Sequence, residues 1–315
     1  MVVASGIAAL ALVAGLGWFA IRGDVLPFLA PDQCTAEVGD HTVVLDPSQA
    51  RYAGLITAIA VQRGMPARAA SIALAAAYQE SNLRNLRGGD RDSAGLFQQR
   101  PSQGWGTLDE IRDPVHATNA FYDALAKVAG YERLEITVAA QEVQRSGFPD
   151  AYADHEADAR TLASALTGNS PEAFSCRLGD ADEGSSELRD SGLTARADAV
   201  RRDLVALFPD LALGGFAAGG VSTGHTEGSA HYDGRAIDVF VRPVSDSNRM
   251  RGWAIAQYLV SQADRLAIRT VIFDDRIWTS GGRSGDGWRD YDPPERAGDP
   301  AILEHRDHVH VDVYE

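Results

Sequence analysis

The stretch 229–241, SAHYDGRAIDVFV, gives the clearest indication of structure in the C-terminal part of this 315-residue chain. A polar, glycine-containing loop runs directly into a strand in which apolar residues alternate. Because successive side chains of a strand point to opposite faces, the apolar residues share one face. They are Ile237, Val239 and Val241. Asp238 is therefore expected on the other face, next to the loop that carries His231.

The stretch 304–314, EHRDHVHVDVY, has the same alternation. Its three valines form one face, so His308, His310 and Asp312 share the other. If the two strands are neighbours, Asp238 and His310 converge and His231 joins them from its loop. Two imidazoles and one carboxylate are the ligand set of a catalytic Zn²⁺ site, with a fourth position left for water. Zinc would acidify that water and polarise a scissile carbonyl.

The spacing Ser229-x-His231-x-x-Gly234-x-Ala236-x-Asp238 resembles the S-x-H-x-x-G-x-A-x-D pattern of D-Ala-D-Ala carboxypeptidase, lysostaphin-like and hedgehog-like metallopeptidases. His308-x-His310 is similar to their H-x-H motif, and the resemblance spans about residues 190–315. It implies that His231, Asp238 and His310 are the zinc ligands.

The general base is the point at which the sequence departs from this pattern. Several members of these families have a glutamate three residues before the last ligand, and Asp307 stands there instead. Asp307 is one methylene shorter and lies on the other strand face from His310. His308 is therefore the better candidate for the base or for stabilising the transition state, with Asp307 as the alternative. No role is assigned to His225 or His305.

The chain as a whole is predicted to be an α+β multidomain protein. Residues 31–176 are predicted to form an all-α domain, because alanine-rich apolar runs recur at helical spacing over 47–167. Residues 177–192 are polar and aperiodic, and are interpreted as an exposed linker. Residues 193–315 form a small α+β domain with a mostly antiparallel sheet, including helices at Ala195–Leu207 and Ser247–Leu266.

Glu80 is the candidate catalytic acid of the helical domain. It stands at the end of an apolar helix, and desolvation raises the pKa of a carboxylic acid in partly apolar surroundings. A raised pKa is what a general acid needs to protonate a glycosidic oxygen near neutral pH.

Glu80-Ser81 followed by Gly95-Leu96-Phe97-Gln98 resembles lytic transglycosylases and goose-type lysozymes. The stretch from Val143 through Pro149 and Tyr152 is similar to their distal helical part. The resemblance implies that Glu80 is the acid/base, that Gln98 lines the sugar groove and that Ser81 positions the acid or substrate.

The second carboxylate of the glycan site stays open. Asp90 and Asp92 are both candidates, and Asp90 stands near the position of a supporting aspartate in goose-type enzymes. Lytic transglycosylases can dispense with a second carboxylate, so hydrolysis and 1,6-anhydro formation both remain possible. Phe97 and Trp105 could stack on sugar rings or belong to the core.

The N-terminal segment 1–30 contains an uncharged run over 2–21 that is long enough to span a bilayer. An uncleaved transmembrane anchor is favoured over a cleaved signal peptide, and either predicts export. Cys34 and Cys176 are therefore expected to form a disulfide, with two buried free thiols as the alternative.

Together these patterns predict a bifunctional peptidoglycan hydrolase with its catalytic domains outside the cytoplasmic membrane, secreted if the N-terminal segment is cleaved. The formal net charge of −15 argues against nucleic acid as a partner. Two alternatives remain open. One is a lytic domain fused to a catalytically weak, peptide-binding zinc module, and the other is a non-enzymatic cell-wall scaffold.

Overall fold

The computed structural model describes residues 31–295 and 297–315, and the first part of this range is built around one alanine-rich helix. The helices are α1 Pro47–Gln62, α2 Ala67–Ser81, α3 Leu108–Arg112, α4 Pro114–Leu125, α5 Ile136–Gln144 and α6 Glu156–Leu166. Two 3₁₀ helices, Pro101–Gln103 and Ala151–His155, lie between them. Helix α2 is buried almost throughout, because its small side chains let α1, α5 and α6 approach closely.

A three-stranded antiparallel sheet closes this helical region. Its strands are β1 Gln33–Val38, β2 His41–Leu45 and β3 Phe174–Arg177, in the order β2-β1-β3. Cys34 and Cys176 are directly opposite each other in the β1–β3 pair and form a disulfide. The predicted helical character and the predicted disulfide are confirmed, whereas the small sheet was not predicted.

The C-terminal region is α+β, as the sequence predicted. It contains helices α7 Ala195–Leu207, α8 Asp246–Ser261, α9 Ala263–Leu266 and α10 Pro300–Leu303, with a 3₁₀ helix at Gly281–Asp286. Its strands are β4 Leu213–Gly214, β5 Ala236–Phe240, β6 Ile268–Phe273, β7 Arg276–Thr279, β8 Arg289–Asp290 and β9 His308–Val313. They form one six-stranded sheet in the order β4-β5-β9-β6-β7-β8, with every pair antiparallel.

The two faces of this sheet differ in chemistry. Ile237 and Val239 of β5 and the three valines of β9 belong to the hydrophobic core, and α7 and α8 pack against these central strands. The β5–β9 register places Asp238 directly opposite His310 and Phe240 opposite His308. Because side chains alternate along a strand, the polar residues collect on the face away from those helices.

Helix α8 joins the C-terminal region to the helical region. It packs against α1, α6 and β3 as well as against β6. The buried Gln257 side chain donates to the Ala165 carbonyl (2.7 Å) and accepts from the Phe174 N–H (2.8 Å). Residues Gln33–Glu315 consequently form one compact unit with a shared core.

Part of the predicted linker 177–192 also packs into this unit. Leu178 is buried, its N–H donates to the Ser284 hydroxyl, and its carbonyl accepts from the Gly281 N–H. Residues 180–191 are mostly exposed, as expected of a polar connection.

Over the part of the chain that the structure describes, none of the helices combines the length and apolar character needed to cross a bilayer. The predicted membrane segment 1–30 lies outside the described residues.

Candidate functional site

Glu80 lies in the last turn of α2, partly buried beside the 3₁₀ helix Ala151–His155. The Tyr152 hydroxyl donates to Glu80 Oε1 at 2.7 Å. Burial raises the pKa of the Glu80 carboxyl above its ordinary value, while hydrogen bonds from Tyr152 and Gln144 act in the opposite direction. The net change in pKa is upward because burial costs the carboxylate form more solvation free energy than these two hydrogen bonds restore.

The loop after α2 is held against the helix end by Ser81. Its buried hydroxyl donates to the Leu96 carbonyl at 2.7 Å and accepts from the Arg84 N–H at 3.1 Å. Gln98 folds back within the same loop, where its amide donates to the Gly95 carbonyl and its oxygen accepts from Ser93. Both predicted binding residues therefore shape the loop beside Glu80.

The two candidate second carboxylates have different surroundings. Asp92 accepts from Arg100 Nε at 2.7 Å and from the Ser102 N–H at 2.9 Å, and these bonds hold its pKa below the usual range. The Asp90 side chain is 91% exposed and lies 3.8 Å from Arg91. Asp92 is thus engaged in a structural ion pair, and Asp90 is the one left facing solvent.

The two candidate sugar-stacking residues, Phe97 and Trp105, also differ in their surroundings. Phe97 is fully buried and stacks on Phe121, so it belongs to the core. Trp105 is partly buried and lines a cavity of about 780 Å³ together with Gln144, Glu142 and Arg145. Gln144 therefore links this cavity to the Glu80 carboxylate.

The second site lies on the polar face of the C-terminal sheet. His231 Nε2 is 3.1 Å from His310 Nδ1 and 3.3 Å from Asp238 Oδ1, and His310 Nδ1 is 3.3 Å from Asp238 Oδ1. All three side chains are buried. The structure thus brings the three predicted metal ligands together, with one potential donor atom from each at a common point.

Hydrogen bonds behind this point orient both imidazoles. His231 Nδ1 is 2.8 Å from the Gly215 carbonyl, which can only accept, so Nδ1 carries the proton and Nε2 offers its lone pair. Gly215 has φ +78°, and an added Cβ would lie 2.3 Å from His231 Cε1. His310 Nε2 is 3.3 Å from Asp312 Oδ2, which leaves His310 Nδ1 directed inward.

The charge state of this cluster depends on what it binds. Burial lowers the pKa of His310, but hydrogen bonds with Asp238 and Asp312 outweigh burial and raise it to about 9. The same imidazoles hold the pKa of Asp238 well below its usual range despite its burial. A metal cation would take the place of the proton that His310 and Asp238 share, since the imidazole nitrogen and the carboxylate oxygen can both donate a lone pair to the metal.

His308 stands beside the cluster and is positioned by Asp307. His308 Nδ1 is 2.7 Å from Asp307 Oδ1, and its Nε2 is 3.8 Å from Asp238 Oδ1. The other Asp307 oxygen accepts from Arg242 Nε at 2.6 Å. Asp307 therefore faces His308 and Arg242, while the His308 imidazole faces the site.

A cavity of about 480 Å³ opens onto these groups. Its lining includes residues of the loop 215–230, together with Tyr291, Ile302 and His305. Arg242 places a cationic group in the lining, and Phe240 and Ile272 contribute apolar surface. The cavity thus combines a cation, an apolar wall and a cluster of nitrogen and oxygen donors.

The structure adds two histidines to which the sequence pattern assigned no role. His225 stacks on His231 with 3.8 Å between ring centroids, and His225, His231 and Asp238 form a group that could hold a metal ion. His305 packs against His308 and His310. Burial lowers the pKa of His305 to about 2, with help from the neighbouring histidines, so its ring is neutral at physiological pH.

Part of this region matches one known family. Residues 189–301 match the family model described as VldE, C-terminal domain. The matched range contains His225, His231 and Asp238, and it ends before His308 and His310. The helical region lies outside it and has no family assigned. A search of the curated proteins finds no match.

Some of the missed residues carried a usable signal. His225 is six residues before His231 in the same glycine-rich loop, a spacing that allows both to reach one ion. Tyr152 ends the motif that begins at Val143, but nothing local in the sequence relates it to a carboxylate 72 residues earlier.

Proposed function

We propose that this protein is a bifunctional peptidoglycan hydrolase. In this proposal, His231, Asp238 and His310 hold zinc for peptide cleavage, and Glu80 is the acid/base for glycan cleavage. The observation that carries the proposal is the spacing of 3.1–3.3 Å among the three donor atoms of the C-terminal cluster.

This spacing fits a zinc ion. Tetrahedral ligands at about 2.0–2.1 Å from zinc lie about 3.3–3.5 Å from one another, close to the distances among these three atoms. The donor set of two imidazoles and one carboxylate is also one that catalytic zinc sites use. The resemblance of 229–238 and 308–310 to D-Ala-D-Ala carboxypeptidase, lysostaphin-like and hedgehog-like metallopeptidases supports the same assignment.

In this proposal, peptide cleavage uses a Lewis acid and a base. When bound, zinc supplies Lewis acidity toward a peptide carbonyl and toward water. His308 is placed to accept the proton that an attacking water loses, since Asp307 holds its Nδ1 and leaves Nε2 toward the site. Arg242, fixed by Asp307, offers a positive charge for a substrate carboxylate in the cavity.

Glycan cleavage needs a proton donor. Burial keeps Glu80 protonated at higher pH than an exposed glutamate, so it can donate to the glycosidic oxygen. Tyr152 and Gln144 hold its carboxylate and stabilise the anion after the proton has left. The resemblance to lytic transglycosylases and goose-type lysozymes supports this role.

Peptidoglycan lies outside the cytoplasmic membrane, so the proposal places residues 31–315 there. Segment 1–30 would be the membrane anchor, or a signal removed on secretion. The disulfide is consistent with an oxidising compartment.

A second candidate function is favoured by the environment of Asp307. No glutamate precedes His310 at the position expected of a base, and Asp307 is occupied by His308 and Arg242. The C-terminal region could then bind a stem peptide through its metal ion without cutting it efficiently.

Mass analysis of fragments released from purified sacculi by residues 31–315 tests both activities. We expect new glycan ends and peptide cuts from the wild type. Glu80→Gln should lose only the glycan ends, by about 10²- to 10⁴-fold in rate. His310→Ala should lose only the peptide cuts, together with bound zinc. The mass of each glycan end separates hydrolysis from 1,6-anhydro formation, which differ by one water.

The control is the reciprocal activity in each variant. Wild type that binds peptide and zinc without releasing peptide products supports the second candidate. Wild type that yields neither product refutes the hydrolase.

A further inference from the structure

The fourth side of the metal cluster is covered by His225. This residue belongs to the loop 215–230, on the cavity wall. His225, His231 and Asp238 each offer a donor atom, and these atoms lie within 4.8 Å of one another. His231 and Asp238 also belong to the His310 set, so the two sets share these two residues.

His225 is held there by Tyr232. The Tyr232 hydroxyl donates to the His225 carbonyl at 2.6 Å and accepts from the His225 N–H at 3.0 Å. Both backbone groups of His225 are thus bonded to one hydroxyl. A single side chain two positions before Gly234 clamps the loop over the metal cluster.

The chain around His225 can change conformation at low cost. Gly224 and Gly228 have φ +97° and +75°, and an added Cβ at either would meet nothing within 4 Å. Glycine adopts positive and negative φ with similar ease, so these positions are suited to act as hinges.

We propose that His225 is a fourth metal ligand that closes the site, and that the segment 224–228 between these two glycines is a gate which opens when the Tyr232 clamp is released. Structural zinc sites have four protein ligands, whereas catalytic sites leave one position for water or substrate. With His225 bound, the centre has no position for either. With His225 displaced, the three remaining ligands form the open site.

This inference depends on the metal centre of the proposed function and adds a regulatory state to it. A ligand exchange of this kind breaks one metal–imidazole bond and forms one metal–water bond, with no other chemistry required. A substrate or partner that holds the loop away from the sheet would activate the enzyme.

Cobalt(II) substitution of the full-length chain, with azide as the probe, tests the gate. In the wild type we expect the d–d spectrum of a four-coordinate ion that azide does not change. In His225→Ala, azide should bind saturably and shift the bands. Zinc affinity should fall at least about tenfold, because even outer-shell partners of metal ligands contribute about 10- to 100-fold.

Tyr232→Phe tests the clamp without removing a ligand. It should keep one bound metal per chain and become responsive to azide. Tyr314→Phe is the matched control, since it removes a tyrosine hydroxyl bonded to Ser280 and Asp180, and it should behave as the wild type.

Two results would contradict the proposed gate. One leaves the proposed metal centre intact, and the other contradicts the metal centre as well. If wild type and His225→Ala bind metal with equal affinity and respond alike to azide, the gate is wrong and the metal centre stands. If the wild type binds no metal, both the gate and the proposed peptidase fail.

Discussion

Glu80 shows how a single residue acquires its chemistry from its surroundings. An exposed glutamate at a helix end is ionised at neutral pH, whereas burial at the end of α2 raises the pKa of this one. The Tyr152 hydroxyl limits that rise by donating to Oε1. The pKa is therefore a balance between desolvation and hydrogen bonding, and removing one contribution should shift it in a known direction.

The pH dependence of glycan cleavage tests this balance. A general acid works while protonated, so kcat/KM should fall as pH rises through the pKa of Glu80. Tyr152→Phe removes a bond that favours the carboxylate. This substitution should move the alkaline limb of the pH profile of kcat/KM to higher pH by about one unit, because such bonds contribute on the order of 1–2 kcal/mol.

Tyr122→Phe serves as the control, since that buried hydroxyl donates to the Ile56 carbonyl. An alkaline limb that stays in place or moves to lower pH in Tyr152→Phe contradicts the assignment of Glu80 as the acid.

At the scale of elements, the contact between α1 and α8 joins the two regions. Gly54 in α1 faces Ser261 in α8, and an added Cβ would lie 2.0 Å from the Ser261 hydroxyl and 2.8 Å from its Cβ. The absence of a side chain therefore allows the helices to approach closely. The Gln262 amide of the adjoining turn donates to the Arg51 carbonyl at 3.0 Å.

Gly54→Ala should destabilise the protein by about 1–3 kcal/mol through overpacking, although alanine favours a helix over glycine by about 1 kcal/mol. Urea unfolding measures the difference. Gly88→Ala is the control, because its added Cβ meets nothing within 4 Å. If Gly54→Ala is as stable as the wild type, the two helices do not pack in solution as described.

At the scale of the whole molecule, one core and one disulfide hold residues Gln33–Glu315 together. The disulfide ties β1 to β3, which flank the helical region in sequence. Gln257 bonds to Ala165 and Phe174 across the junction. The two candidate sites are therefore carried by one unit with a shared core, and we expect them to unfold together.

Replacing both cysteines by alanine should lower the free energy of unfolding by about 5 kcal/mol, since the bond closes a loop of 142 residues. Urea unfolding followed by circular dichroism and by tryptophan fluorescence gives the measurement, and both probes should report one transition. Reductant should destabilise the wild type and leave the double variant unchanged, because the chain has no other cysteine. Two separate transitions would show that the regions unfold independently.

The sequence predicted those features of the fold that depend on local periodicity. Alternation along 304–314 placed the valines on the core face and His308, His310 and Asp312 on the other, and the strand pairing then set His310 opposite Asp238. Helical spacing over 47–167 predicted the helical region for the same reason. Cysteine count and the expectation of export were enough to predict the disulfide.

Local patterns were thus enough to predict most of the helices, the two strands that carry Asp238 and His310, and the candidate residues His231, Asp238, His310 and Glu80. Tertiary packing set how other groups meet these residues: Tyr152 at Glu80, His225 against His231, and Asp307 bonded to His308. It also decided that β1 pairs with β3 and that α8 packs against α1. The physical reason is that periodicity reports which face of an element is buried, whereas contacts between segments far apart in sequence depend on how those faces pack together.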